Sequence, residues 1–229
     1  MDFFAGEVLY FNKPLDWTSF DLVNQFRNKL SRKLNVEKIK VGHTGTLDPK
    51  ATGVLIVCTG RATRRVEEFQ VQPKEYVATL KLGATTPSFD LEKEIDQTYP
   101  VEHITRERVE SILEKFVGTI QQIPPGFSAC KINGRRAYKS ARKGREVPLK
   151  AKTLTIDEIE LLEYALPLIK IRVVCSKGTY IRALARDIGF ALDSGAHLIA
   201  LERTRIGGIT LDACISPEHI DGFLEEVLN

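Results

Sequence analysis

Between Val41 and Gly53 the chain reads VGHTGTLDPKATG, which sets one carboxylate, Asp48, in a loop rich in glycine and threonine. A carboxylate fixed in place acts as a nucleophile, as in retaining glycosidases, or steadies positive charge developing on a nearby carbon. Gly42, Gly45 and Gly53 allow positive φ or close approach to a ligand, and Pro49 fixes the chain just after the acid. Asp-Pro is equally an ordinary turn pair, so the loop alone leaves both readings open. Tyr180 and Arg182 stand at the start of a helical pattern, where free amide N–H groups and the dipole favour an anion. An arginine there either faces solvent or has a carboxylate partner. Tyr76 opens an alternating strand pattern on its apolar side, the place of a core or rim tyrosine whose hydroxyl meets a partner. The run KINGRRAYKSARKGR, from Lys131 to Arg145, contains Lys131, Arg136 and Arg142 among its cations and no acid. The plain reading is a solvated face. With Tyr138 and glycines between the charges, it reads better as a phosphate-binding segment for nucleic acid.

The elements that must hold these residues are legible as patterns. The apolar run Val54 to Cys58 makes the Asp48 loop feed a buried strand. A short strand over 7–11 is closed by Lys13-Pro14. Thr18 and Asp21 form a capping pair, and Phe20, Val23, Phe26 and Leu30 follow at helical spacing, which predicts a helix over 19–30. Its polar side and the residues after it hold Arg27, Lys29, Arg32, Lys33, Lys38 and Lys40, a second basic surface. A short helix over 60–69 precedes a strand over 74–83, with Tyr76, Ala78, Leu80 and Leu82 on one face. An acidic loop over 85–99 and a helix over 106–117, stopped by Gly118, come next. Strands over 153–162 and 168–175 lead into a helix from about Thr179. A strand over 197–204 and a final helix opened by Ser216-Pro217 complete the pattern, with no repeat and no second domain expected.

The chain has 229 residues, 43% hydrophobic and 28% charged, which describes an ordinary soluble globular protein with a sizeable core. No membrane span or secretory signal is visible, so a cytoplasmic location is expected. Cys58, Cys130, Cys175 and Cys214 form no CxxC pair and read as reduced thiols, and His43, His103, His197 and His219 show no ligand spacing, so no metal is expected. The net charge of +3 is unevenly spread: beyond Arg205 there is no Lys or Arg, while Asp212, Glu218, Asp221, Glu225 and Glu226 all fall there.

Taken together, KPLDWTS (13–19), GHTGTLDPKATGVL (42–55), GRAT (60–63), KEY (74–76), LGATT (82–86), PPGFSACKINGRRAYKSAR (124–142), GTYIRALARDIG (178–189) and LERTRIG (201–207) resemble the TruB-type tRNA pseudouridine synthases. The pieces come in family order and cover nearly the whole chain. The resemblance implies the α+β pseudouridine synthase fold: a central mixed, mainly antiparallel sheet flanked by helices, with a basic thumb-like insertion at about 124–152. It implies a single catalytic domain over 1–229, in a short form without a C-terminal PUA domain. The implied reaction turns uridine 55 in the T loop of tRNA into pseudouridine, with base flipping and no cofactor, by an enzyme working as a monomer. Residue by residue, the resemblance makes Asp48 the catalytic carboxylate, Tyr76 the group packed on the uracil and the family's candidate base, and Arg182 the partner of Asp48. Tyr180 and Leu201 would line the pocket, His43 would contact RNA beside the flipped base, and Lys131, Arg136 and Arg142 belong to the segment closing over the stem. Departures stand at Asp16, where the family usually has Gly, at Thr86-Pro87-Ser88 and at Glu202.

The chemistry fits such residues. The isomerisation is redox-neutral and releases nothing, and the carboxylate has to be ionised, which a paired guanidinium favours. Extruding a base costs a few kcal/mol, of which stacking on an aromatic returns about 1–3 kcal/mol. A catalytically silent tRNA-binding or RNA-folding protein using the same groove is the alternative, and a base-excising glycosidase a weaker one.

Overall fold

The computed structural model describes residues 1–127 and 149–228, with the backbone of two short strands between them, Lys131–Ile132 and Arg135–Arg136. The chain falls into two compact units, one of Met1–Tyr76 and Glu202–Asn229 and the other of Val77–Leu201.

The first unit is built on β3 (Ala51–Thr59), whose apolar run is buried along nearly its whole length. Strand β1 (Val8–Lys13) pairs antiparallel with it, from Val8 opposite Cys58 to Lys13 opposite Gly53. The two-residue period of β1 turns Leu9, Phe11 and Lys13 inward together, so the alternation that buries two apolar side chains buries a lysine as the third. Strand β2 (Val41–His43) also pairs with β3, setting His43 opposite Val57. The segment of β12 (Ala196–Ile206) from Glu202 onward follows β3 in the order β1-β3-β12 and carries the short β13 (Ile209–Thr210). Helix α1 (Ser19–Lys33) starts at Thr18, whose side chain accepts from Asp21 N–H while the Asp21 carboxylate accepts from Thr18 N–H, the reciprocal capping expected.

The apolar face of α1 differs from the one the spacing predicts. Ser19, Leu22, Val23, Phe26 and Leu30 are buried, whereas Phe20 is 61% exposed. At 100° per residue Phe20 lies about 100° round the helix from the centre of the buried set. Phe26 meets Phe11 at 5.1 Å between ring centroids, and Ile220 and Leu224 of the last helix, Ile220–Leu228, join the same core. The helix expected over 60–69 is split into a 3-10 turn, Gly60–Arg65, and α2 (Val66–Gln70).

In the second unit the order is β4 (Lys74–Leu82, here from Val77 onward), β11 (Leu168–Cys175), β10 (Lys152–Ala165) and β7 (Gly118–Gln122). Strand β4 keeps the alternation read from its sequence, with its residues from Lys74 to Leu82 buried in turn. Strands β10 and β11 form an antiparallel pair, and β7 lies on the other edge of β10. The acidic segment 85–99 is mostly loop but carries a small pair, β5 (Ala84–Thr85) and β6 (Gln97–Thr98). Helix α3 (Arg106–Glu114) ends three residues before the expected 117, and Gly118 follows with φ +97°. Helix α4 (Ile181–Ala191) buries Ile181, Leu184, Ala185 and Ile188, and also Arg182. The strands Lys131–Ile132 and Arg135–Arg136 (β8 and β9) pair antiparallel. The side chains of Lys131 and Arg136, all of Arg142 and most of the insertion expected over 124–152 lie outside the described residues.

The strand pairs with a described register are antiparallel, a parallel bridge joins Phe11 and Ile215, and helices flank the strands in the α+β manner expected. Cys58 and Cys175 are buried and Cys214 is half-buried, while Cys130 lies outside the described residues. No helix among the described residues is long and apolar enough to cross a membrane.

Candidate active site

Asp48 is held by its neighbours in the chain through their backbone. Leu47 N–H donates to Ser19 Oγ at 2.8 Å, and the same hydroxyl donates back to Leu47 O at 3.2 Å, both buried. Asp16 N–H donates to Pro49 O at 2.9 Å, and Ala51 N–H to Asp48 O at 3.0 Å. The first residue of α1 and the turn before it thus grip the loop on both sides of the acid. That turn explains one family departure. Asp16 has φ +64°, a conformation glycine takes freely and aspartate tolerates at a cost of about 1 kcal/mol, and its carboxylate meets Lys50 at 2.6 Å. Of the three loop glycines only Gly53 has positive φ, +108°, and a Cβ there would lie 2.2 Å from Arg203 O. It is glycine because β12 passes against it.

Lys13 and Arg203 are buried cations of the same unit as Asp48. Lys13 is fully buried and donates to Pro14 O at 2.8 Å and Trp17 O at 2.5 Å. Burial pulls its pKa down to about 8, with the Arg203 charge adding to the fall, while Asp48 first and then Asp16 and Asp21 oppose it. Arg203, 2% exposed, donates from Nε to Val54 O at 2.8 Å and from a terminal nitrogen to Gly45 O at 3.1 Å. His43 is half-buried, and its Nδ1 is buried without a hydrogen-bond partner among the described residues. Burial lowers the His43 pKa, Arg203 lowers it further, and a bond to the Gly45 backbone opposes both. The two lowering influences favour the neutral imidazole.

Lys13 gives a pH test. Its folded pKa lies below the unfolded value of 10.5, so its burial penalises the fold while both states hold the proton. That penalty is relieved as pH rises from about 8 to 10.5, where only the unfolded chain holds it. Relative to Lys13→Met, the wild type is expected to gain on the order of 1–3 kcal/mol of stability across this window. Urea unfolding of both proteins at pH 7.5 and pH 10 checks it; parallel pH dependence would contradict it.

Tyr76, 9% exposed, stands at the start of β4 and is anchored by the two residues before it. Lys74 Nζ donates to the carbonyls of Gln70 and Gln72, each at 2.6 Å, at the end of α2. Glu75 accepts from Thr204 Oγ1 at 2.9 Å and from Arg205 at 3.1 Å. The KEY triplet is thus two anchors and the aromatic they place.

In the second unit Arg182 and Asp90 are both buried and lie 3.5 Å apart. The guanidinium also donates to Ser88 O at 3.2 Å and Phe127 O at 2.9 Å. The loop that presents Asp90 is tied within itself: Thr86 Oγ1 donates to Asp90 O, Glu92 N–H donates to Asp90 Oδ1, and Phe89 takes φ +62°. Of the two readings left open for Arg182, the carboxylate partner is the one found, and it is a residue that carries no motif of its own. Tyr180 caps α4 and is clamped by Gln122, whose Oε1 accepts its N–H at 2.9 Å and whose amide donates to its carbonyl at 3.2 Å. Leu201 is half-buried in β12. Asp48, His43 and Tyr76 thus belong to the first unit, and Arg182, Tyr180 and Leu201 to the second.

Reading the sequence missed Lys13, Arg203 and Asp90. Lys13 was visible only as a lysine in phase with Leu9 and Phe11.

Residues 31–181 match the family model described as TruB family pseudouridylate synthase, N terminal domain. The chain belongs to the TruB family. It is similar to the tRNA pseudouridine synthase B of Parabacteroides distasonis, 78% identical over 226 residues that cover 99% of this chain and 96% of that protein. The protein of the same name from Phocaeicola vulgatus is 68% identical over 234 residues, the whole of both chains. Among solved structures, a chain in the crystal structure of a Cbf5-Nop10-Gar1 complex shares 30% identity at a TM-score of 0.72, over 99% of this chain and 57% of that one. TruB-family membership makes the α+β architecture the pseudouridine synthase fold and the enzyme class an isomerase.

Proposed function

We propose that this chain converts uridine 55 in the T loop of tRNA to pseudouridine, through Asp48 and without a cofactor. The observation that carries this is the grip on Asp48 by Ser19 and the Asp16 turn, in a TruB-family chain whose relatives are named tRNA pseudouridine synthase B. In the reaction the C1′–N1 bond breaks, the uracil turns, and a C1′–C5 bond forms. C5 loses a proton and N1 gains one, so atoms and electrons balance within the nucleotide. Asp48 supplies the negative oxygen needed beside the sugar–base bond. Arg182, whose guanidinium is seated by Ser88, Phe127 and Asp90, is the cation the family resemblance assigns to balance that charge. Tyr76 stacks on the everted uracil and takes the C5 proton. Tyr180 and Leu201 line the base pocket, and the half-buried His43 contacts RNA beside the flipped base. Lys131, Arg136 and Arg142 meet backbone phosphates, which their acid-free run favours. The enzyme acts as a cytoplasmic monomer.

Tyr76→Leu separates chemistry from docking. Turnover is expected to fall about 100-fold or more, the range for losing a proton-transfer group, while tRNA affinity falls about tenfold at most. Single-turnover kinetics beside filter binding measures both, and equal losses would reduce Tyr76 to a docking role.

A further inference from the structure

Some of the positive charge on and after the last turns of α1 is neutralised and some is not. Lys29 and Lys33 each reach an acid of the final helix, α5 (Ile220–Leu228), at 2.7 Å: Asp221 and Glu225. The acidic end of the chain is in part spent there. Arg27, Arg32 and Lys38 have no ion pair among the described residues. Arg27 donates to Asn24 Oδ1 at 2.5 Å and lies over the Phe20 ring at 5.8 Å, contacts that orient the guanidinium without cancelling its charge.

These three cations line one cavity of about 820 Å³, and Glu37 is its single acid. The cavity exists because of how α1 ends. Asn35 takes φ +50°, its N–H donates to Arg32 O at 3.2 Å, and Val36 N–H donates to Ser31 O at 3.0 Å. This left-handed reversal turns the chain so that Lys38 faces the same space as Arg27 and Ser31. Three cations against one carboxylate leave two net positive charges, which outweigh the half negative charge of the helix C-terminus. The lining contains no aromatic side chain, and Val36 is its one aliphatic residue, so it offers no platform on which a base could stack. Guanidinium, ammonium, amide and hydroxyl donors without such a platform suit phosphate oxygens and read no sequence.

Lys38 precedes His43 by five residues, which limits their Cα separation to about 18 Å. RNA that engages the His43 and Asp48 loop therefore has backbone within reach of the cavity. We propose that this cavity holds backbone phosphodiesters of the substrate RNA, away from the nucleotide that reacts. The proposal rests on the reading of the chain as a tRNA isomerase.

The test compares two double variants that each remove two cations: Arg32→Gln with Lys38→Gln, and Lys29→Gln with Lys33→Gln. Unmodified tRNA binding is measured across a salt series. For the first, Kd is expected to rise about tenfold near physiological salt, and the slope of log Kd against log salt to fall by about one to two. For the second, Kd is expected to change by less than about twofold. Equal weakening by both pairs, which would reflect net charge alone, overturns the proposal, as does weakening by neither. Calorimetric titration of the wild type with inorganic phosphate and with a mononucleotide distinguishes the sources. Saturation by either, with tRNA affinity indifferent to the first pair, would assign the cavity to a small phosphate compound and overturn the RNA assignment. A wild type that isomerises uridine while the first pair binds tRNA normally defeats this proposal alone. A wild type that binds tRNA but makes no pseudouridine defeats the functional reading and leaves the affinity comparison to decide this one. Failure of the wild type to bind tRNA defeats both.

Discussion

Asp48→Asn is expected to lower pseudouridine formation by roughly four orders of magnitude or more, the scale for removing an essential nucleophile, while tRNA affinity stays within about threefold. The amide has nearly the same shape, and the bonds that fix the loop run through Ser19 Oγ, Leu47 and the backbone of Pro49 and Ala51, none of which the substitution touches. What disappears is the negative charge. Lys13 then loses the largest of the influences that keep its proton on, so the buried lysine of the variant gives up its proton at lower pH than that of the wild type. Single-turnover assays on unmodified tRNA, with a thermal melt to establish folding, measure the effect. Turnover near the wild-type rate in a folded variant would remove Asp48 from the chemistry.

The second large effect is expected at Arg182→Lys, about 100-fold or more in turnover. Lysine keeps the charge but not the planar fork, and one ammonium does not reproduce the contacts with Ser88 O, Phe127 O and Asp90 together. Displacement of a positioning charge by about an ångström is enough for a loss of that order. The conservative variant is the informative one. Removing the cation altogether leaves the 4%-exposed Asp90 side chain as an unpaired buried charge, a change worth about 3–5 kcal/mol of stability. A truncation therefore mixes unfolding with catalysis. Activity within about threefold of wild type for Arg182→Lys would show that charge alone suffices there.

How much of this is legible in the sequence depends on the range over which each feature is decided. The capping pair at the start of α1, the alternation of β4 and the buried run of β3 are set by residues within a few positions of one another, and all three stand in the structure as read. The spacing of apolar residues puts Phe20 on the face of α1 shared by Val23, Phe26 and Leu30, yet helix geometry gives that face to Ser19 and Leu22, and the hydroxyl of Ser19 is needed against Leu47. In the sequence Lys13 is the residue that closes a strand pattern and Arg203 one residue of the LERTRIG piece, and neither position signals burial. Their burial follows from strand phase in one case and from carbonyls of other strands in the other. Asp90 sits in a segment that reads as acidic loop, and only the fold brings it to Arg182. The uneven charge of the C-terminal segment was visible, but that its acids single out Lys29 and Lys33 was not, since helix pairing is set by the core beneath.

The most direct test of the account is to incubate the purified protein with an unmodified tRNA transcript, add no cofactor, and map modified positions while assaying for free base. Pseudouridine at position 55, its loss with Asp48→Asn, and no uracil in solution are expected. A transcript left unmodified under conditions where it binds, or uracil released from it, would contradict it.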